Sequence, residues 1–367
     1  MGDLLELTAE LVDIPSPSFE EAPLVDDLTR RLSTVDGLEL TRVGDNLVAR
    51  TDLGRDRRVV LAGHTDTVPA TGDERARVEG DVLWGVGSAD MKGGLAVMVE
   101  LARTFTTPAV DVTYVFYARE EVASRHSGLL ELVEHDARSA RRATWRSSAS
   151  PPAAAVEAGC QGTMRLRGAS CAALAPTPPD PGWVATRSTG WVGSWPTSMR
   201  TSRVSRCSRA AGTARRSRRC SSRVAWRATW SPTTPRLVIN HRFAPDRSAE
   251  EAEAPRARAA RPHLDDGDDV EVVELLPAAV PAVDHPLIAS LVDAGGLEVR
   301  AKLGWTDVAR FAGHGVPAVN FGPGDSRLAH TPDEHLGRPP SIEAAVRGRS
   351  WRCSPLDETR RPSGAVA

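Results

Sequence analysis

Apolar residues recur at helical spacing over residues 3–13, where Leu4, Leu7 and Leu11 share one face before Pro15 ends the run. Leu24, Leu28 and Leu32 repeat the pattern, and Ser18 with Glu21 three residues later predicts a capping box at the start of that second helix. Val59-Val60-Leu61-Ala62 and Tyr114-Val115-Phe116-Tyr117 are short apolar runs of the buried-strand type, and Gly93–Arg103 between them reads as a helix. Strands alternating with helices predict an α/β domain with a mostly parallel central sheet.

The pattern stops at Arg138. From there to Thr233 no period of either kind persists, and 17 Arg stand against two acidic residues, Glu157 and Asp180. Six of the nine Trp fall in the same stretch. Order returns with the strand-like run Leu237–Phe243. A helix follows over 286–294, then the strand Ala318-Val319-Asn320-Phe321 running into Gly322-Pro323-Gly324-Asp325. After Val346 the pattern is lost again.

Composition narrows the classes. A chain of 367 residues can hold two domains and a sizeable core. Its net charge of −2 excludes a global field that would draw in nucleic acid or a membrane surface. No apolar run is long enough to span a bilayer, and the start Met-Gly-Asp-Leu-Leu-Glu lacks the basic and apolar regions of a signal peptide. The five cysteines (Cys160, Cys171, Cys207, Cys220, Cys353) form no CxxC pair, which fits a reduced, cytoplasmic protein. Lys92 and Lys302 are the only lysines, so Arg carries nearly all the positive charge. That bias is typical of a GC-rich genome, in which shifted reading frames stay open.

The candidate chemistry lies at strand ends. His64-Thr65-Asp66 follows the first strand, Asp90 follows the glycine loop Trp84-Gly85-Val86-Gly87, Glu120-Glu121 follow the second strand, and His330 sits in Leu328–Glu334. Ligand sites of open α/β sheets gather at the carboxyl ends of strands, and imidazole and carboxylate are the usual ligands of catalytic zinc. Each piece alone is commonplace. A His-x-Asp after a strand is usually incidental, and a Glu pair usually marks a solvated loop. Their conjunction predicts a metal site, with an adjacent Glu pair able to supply one base and one ligand.

Gly63-His64-Thr65-Asp66-Thr67-Val68-Pro69, Gly87-Ser88-Ala89-Asp90-Met91-Lys92-Gly93-Gly94 and Glu120-Glu121 together resemble the di-zinc aminoacylase/carboxypeptidase family of metallopeptidases. The resemblance implies a catalytic domain of the di-zinc exopeptidase type at 1–157 and 275–367, with an inserted α+β lid at 158–274 used for dimerisation. It implies two divalent metal ions, zinc first and cobalt as the alternative. His64, Asp90, Glu121 and His330 would be ligands, with Asp90 bridging. Glu120 would be the general base, and Asp66 would orient His64. Glu157–Met164, Asn240–Pro245 and Leu303–Phe311 resemble the desuccinylases of that family. They place Arg242 and Thr306 among the substrate contacts and imply release of succinate from N-succinyl-LL-2,6-diaminopimelate. The partner is then a small N-acyl amino acid, the state a homodimer, and neither nucleic acid nor membrane takes part. Acetylornithine deacetylation is the alternative within the family. An inactive relative whose Arg-rich segment binds nucleic acid is the alternative outside it.

The sequence also departs from the family. Ser150 stands where the pattern has a ligand Glu in a Gly-Glu-Pro-Thr-like motif, and no lid His lies between His135 and His241. One synonymous coding of Thr144–Pro152, read one nucleotide earlier, gives Asp-Val-Ala-Ile-Leu-Gly-Glu-Pro-Thr. The same shift yields a His near Thr177 and turns Thr229–Thr233 into Asn-Val-Val-Pro-Asp. Paired frame errors over 138–153 and 169–233, and a third after residue 346, account for the Trp excess, the missing acids and the abrupt edges together. As written, the chain is expected to hold about one zinc tightly and to show little or no activity.

Overall fold

The computed structural model describes residues 3–135, 143–147, 155–169, 224–229, 236–252, 269–325 and 327–338. Ser150, the lid position near Thr177 and the tail after 346 lie outside the described residues.

Helix α1 (Leu4–Val12) starts at Asp3, whose carboxylate accepts the Leu5 N–H at 2.8 Å, and it buries Leu4, Leu7 and Leu11 as the spacing predicts. Helix α2 (Ala22–Leu32) buries Leu24, Val25, Leu28 and Leu32 completely. The expected capping box does not form. Glu21 is the cap residue but makes no side-chain cap bond. Ser18 and Glu21 bond to tertiary partners instead, Asp66 and the Arg119 N–H. Pro in the first turn of α2 needs no amide partner, so the helix starts without the box.

The chain divides into two compact units. The first comprises Met1–Glu157, Asp284–Arg300 and Gly315–Ala367, the second Ala158–Val283 and Ala301–His314. The first unit is built on an eight-stranded sheet. Strands β1 (Leu38–Val43) and β2 (Asn46–Thr51) form an antiparallel hairpin at its edge. Then come β3 (Arg58–His64), the small strands β4 (Arg77–Glu79) and β5 (Val82–Trp84), helix α3 (Gly93–Thr104), β6 (Asp111–Tyr117), helix α4 (Gly128–His135), β7 (Ala143–Ser147) and β8 (Val156–Ala158). The order across the sheet is β1-β2-β6-β3-β7-β14-β8-β13, where β13 is Val299–Ala301 and β14 is Ala318–Asn320. β6, β3, β7 and β14 run parallel, and β2 joins β6 antiparallel. All seven residues of β6 are buried, as expected of a parallel strand covered on both faces. α1, α2 and α3 pack Leu11, Leu24, Leu28, Leu95 and Val99 against Leu47, Leu61 and Phe116 in one core. Each such side chain contributes roughly 1.5–3 kcal/mol by burial. β15 (His335–Gly337) pairs with β5 in a separate three-stranded sheet with β4.

The second unit holds an antiparallel sheet ordered β10-β11-β9-β12, from β9 (Gly162–Ala169), β10 (Val224–Thr229), β11 (Arg236–Phe243) and β12 (Asp269–Leu276). Gly162 lies opposite Phe243 in the register, and a Cβ there would sit 2.2 Å from the Phe243 ring. Phe243 therefore closes over the strand and packs with Met164, Leu166 and Ala252. Helix α5 (Pro286–Gly295) belongs to the first unit and α6 (Val308–Gly313) to the second.

Candidate metal centre

The register of β3 on β6 pairs His64 with Tyr117, so both strands end at the same carboxyl edge. The chain turns after each. Thr65 N–H bonds the Tyr117 carbonyl at 2.8 Å, and Arg119 takes a left-handed φ of +63° that swings Glu120 and Glu121 back toward His64. Asp66, buried beneath this edge, accepts N–H groups from Glu120 at 2.9 Å and Glu121 at 3.0 Å, and the Ser18 hydroxyl at 2.8 Å. Burial alone would raise the Asp66 carboxyl, but its contact with His64 and those two amides outweighs it and holds the group below the usual range.

Asp66 was expected to orient His64 through its carboxylate. The nearest partner of His64 Nδ1 is instead the Asp66 backbone carbonyl, at 2.9 Å, with the carboxylate oxygen at 3.5 Å. The carboxylate's shorter contacts go to the Glu pair and Ser18. One residue thus fixes the imidazole with its backbone and the two glutamates with its side chain.

His64 Nε2 lies 3.1 Å from Asp90 Oδ1. On the other side of the same carboxylate, His330 Nε2 lies 3.9 Å from Asp90 Oδ2 and 2.7 Å from Glu121 Oε1. Two groups of three donors result, His64 with Glu120 and Glu121, and Asp90 with Glu121 and His330, each with ligand atoms within 4.8 Å of one another. Imidazole and carboxylate in such clusters suit a divalent cation such as zinc. Without an ion, the acids act on the imidazoles. Burial would lower His64, but Asp66 and Asp90 outweigh it and hold it well above its ordinary value. The Glu121 hydrogen bond chiefly raises His330.

Asp90 stands in an irregular turn, Ser88–Lys92, joined to Met91 by a cis peptide. Gly87 precedes it at φ +77°, where a Cβ would strike Thr67 Cγ2 at 2.6 Å. Lys92 is buried and donates to the Ile14 carbonyl at 2.7 Å; burial draws its pKa down to about 7. Ser18 and Lys92 thus brace the residues around the site, and composition gives no hint of it. Lys92 stands inside a quoted motif and is buried, whereas Ser18 stands in the second helix's expected cap and is half-buried.

Arg242 and Thr306, the two expected substrate contacts, both lie in the second unit. Arg242 Nη1 and Thr306 Oγ1 are buried and have no hydrogen-bond partner among the described residues. An unpartnered buried donor is costly and fits a group kept for a ligand.

Residues 60–348 match the model of Peptidase family M20/M25/M40. The chain is 39% identical over 348 residues to a candidate succinyl-diaminopimelate desuccinylase, DapE, of Mycobacterium tuberculosis (strain ATCC 25618 / H37Rv), covering 91% of this chain and 94% of that one. It is 34% identical to the succinyl-diaminopimelate desuccinylase of Corynebacterium glutamicum, over 91% of this chain and 92% of the relative. Among solved structures, its fold is similar to aminopeptidase PepT of Bacillus cereus (TM-score 0.68, 17% identity, 94% of this chain and 95% of that one). It is likewise similar to the M20 family metallo-carboxypeptidase Sso-CP2 of Sulfolobus solfataricus (TM-score 0.67, 12% identity, 96% and 98%). The two groups of imidazole and carboxylate donors near the carboxyl edge of a mostly parallel sheet are thus carried by a chain that belongs to peptidase family M20/M25/M40.

Proposed function

We propose that the chain is a metal-dependent amide hydrolase that releases succinate from N-succinyl-LL-2,6-diaminopimelate, leaving LL-diaminopimelate. The observation that carries the reading is the placement of Asp90 with one oxygen toward His64 and the other toward His330, beside the Glu120-Glu121 pair. The identity to two desuccinylases over nine-tenths of the chain supports the substrate.

Two divalent ions, zinc in this proposal, would supply Lewis acidity at the scissile carbonyl and lower the pKa of a bound water. His64 would hold one, Glu121 and His330 the other, and Asp90 would bridge them. Glu120 takes the proton of the attacking water and returns it to the leaving amine, a task that needs its carboxylate within reach of the site. Asp66 holds the Glu120 N–H and so fixes where that carboxylate starts. Arg242 and Thr306 offer an unsatisfied guanidinium N–H and hydroxyl to a substrate carboxylate. The reading carries with it a cytoplasmic homodimer; among the described residues no helix is long and apolar enough to cross a membrane.

With Ser150 in place of the expected ligand, little or no turnover is expected of the chain as written. The test is therefore run on two forms, this chain and one carrying Asp-Val-Ala-Ile-Leu-Gly-Glu-Pro-Thr in place of residues 144–152. Amine release is followed from the succinyl substrate and from N-acetylornithine. Release from the succinyl compound alone is expected in the second form. Release from N-acetylornithine alone would move the chain to the other branch of its family.

A further inference from the structure

We infer that Glu334 is a positioning residue for Asp90, setting through the backbone how the bridging carboxylate sits between His64 and His330. Glu334 is 2% exposed and follows His330 by four residues. Its Oε1 accepts the N–H groups of both Ala89 and Asp90 at 3.0 Å. Its own carbonyl accepts the Gly85 N–H at 3.2 Å. Two residues on, Leu336 lies against Gly93, where a Cβ would come within 2.6 Å of Leu336 Cδ2.

The turn that carries Asp90 needs such an anchor. Asp90 (φ −128°, ψ 87°) and Met91 (φ −143°, ψ 36°) are not helical, so no regular ladder holds their backbone. An ionised carboxylate is acceptor-only and suits several convergent N–H groups. The same loop brings His330 to one face of Asp90 and Glu334 to its backbone. A ligand and the support of the bridging ligand thus arrive together. Partners of this outer kind set ligand orientation and typically matter 10- to 100-fold in metal affinity.

The inference rests on the reading that these residues hold metal, and the test separates the two. Glu334→Gln keeps the shape of the side chain and one acceptor oxygen, but removes the charge and replaces the second carboxylate oxygen by an NH2 that cannot accept. Cobalt affinity is measured by competition with a chelating dye, and the visible spectrum of the cobalt-loaded protein is recorded beside the melting temperature. Leu336→Ala loosens the same loop without touching the Ala89 and Asp90 amides. The expected result is a loss of about 10- to 100-fold in affinity for Glu334→Gln with an altered cobalt spectrum, and a loss under about threefold for Leu336→Ala. Affinity unchanged in Glu334→Gln, or lost equally in both variants, overturns the inference alone. A parent chain that binds no cobalt overturns the metal reading with it. Hydrogen exchange on the unaltered, metal-free chain gives a measurement that no folding failure can spoil. Slow exchange at Ala89 and Asp90 is expected, and fast exchange there overturns the inference.

Discussion

His64 and His330 face one carboxylate from opposite sides, yet their surroundings differ. His64 is 6% exposed, ends a central strand and is fixed by the Asp66 carbonyl. His330 is 48% exposed and sits at φ +62° in an irregular loop, with Glu121 at 2.7 Å as its nearest acid. The buried half has the firmer scaffold but shares Glu120, the proposed base, and Glu121 as its carboxylates. The exposed half has three donors, Asp90, Glu121 and His330, none of them the proposed base. Rigidity and the number of donors left once the proposed base is set aside are therefore separate properties, and here they fall on opposite halves. A carboxylate that binds a metal is a poor base, so the His64 half cannot fill itself from Glu120 without cost to catalysis.

The largest effect expected from this difference follows from supplying the missing carboxylate. The form with residues 144–152 replaced should rise from about one tightly bound zinc to about two, by elemental analysis after dialysis, as a catalytic pair requires. Its turnover should rise by on the order of a hundredfold or more, the scale of a general base placed in working order. Two zinc ions in the unaltered chain would remove the asymmetry at a stroke.

Single ligand deletions should split the halves next. His330→Ala should abolish the tight zinc, losing more than the roughly 10- to 100-fold that an outer partner costs. His64→Ala should leave about one zinc in place, because the Asp90, Glu121 and His330 set is intact. Equal losses in the two variants would mean that one metal is shared across both halves.

A smaller effect lies in pH. Both imidazoles are raised in the metal-free chain, His64 by Asp66 and Asp90 against its burial, and His330 by Glu121. A group raised on folding stabilises below its unfolded pKa, about 6.5 for His, and loses that contribution as pH rises through the folded value. The melting temperature of the chelator-treated chain should therefore fall as pH climbs above about 6.5. Zinc affinity should rise over the same window, because the metal displaces protons. His64→Ala should flatten the melting profile more than His330→Ala, since the exposed imidazole is better screened. A profile that rises with pH would contradict both directions.

Much of this was legible in the chain. The leucine spacing of residues 4–11 and the runs at 59–62 and 114–117 gave the elements, and the strand ends marked where the ligands converge. The ligand set itself came from the motifs at Gly63–Pro69 and Gly87–Gly94 and from the resemblance they carry. Support of the ligands was not legible, because it is tertiary. Ser18 and Glu21 match a local capping pattern, but their partners, Asp66 and Arg119, lie 48 and 98 residues away. Glu334 looks like a solvated loop acid until the Ala89 amide is found 245 residues back along the chain.

The smallest prediction concerns that hidden support on the buried half. Ser18→Ala removes one of the donors to the Asp66 carboxylate and leaves the Glu120 and Glu121 amides in place. A hydrogen bond to a charged group is worth roughly 1.5–3 kcal/mol, and partial exposure of this one sets the expected loss of stability near about 1.5 kcal/mol. Because the donor lies behind His64 and not behind His330, zinc held by the exposed half should keep its affinity within about twofold, well short of the 10- to 100-fold scale of a direct supporting partner. Denaturant unfolding and a chelator competition on the same variant separate the two quantities. A variant that kept its stability but lost its tight zinc would place that zinc at His64, and would reverse the order of the two halves.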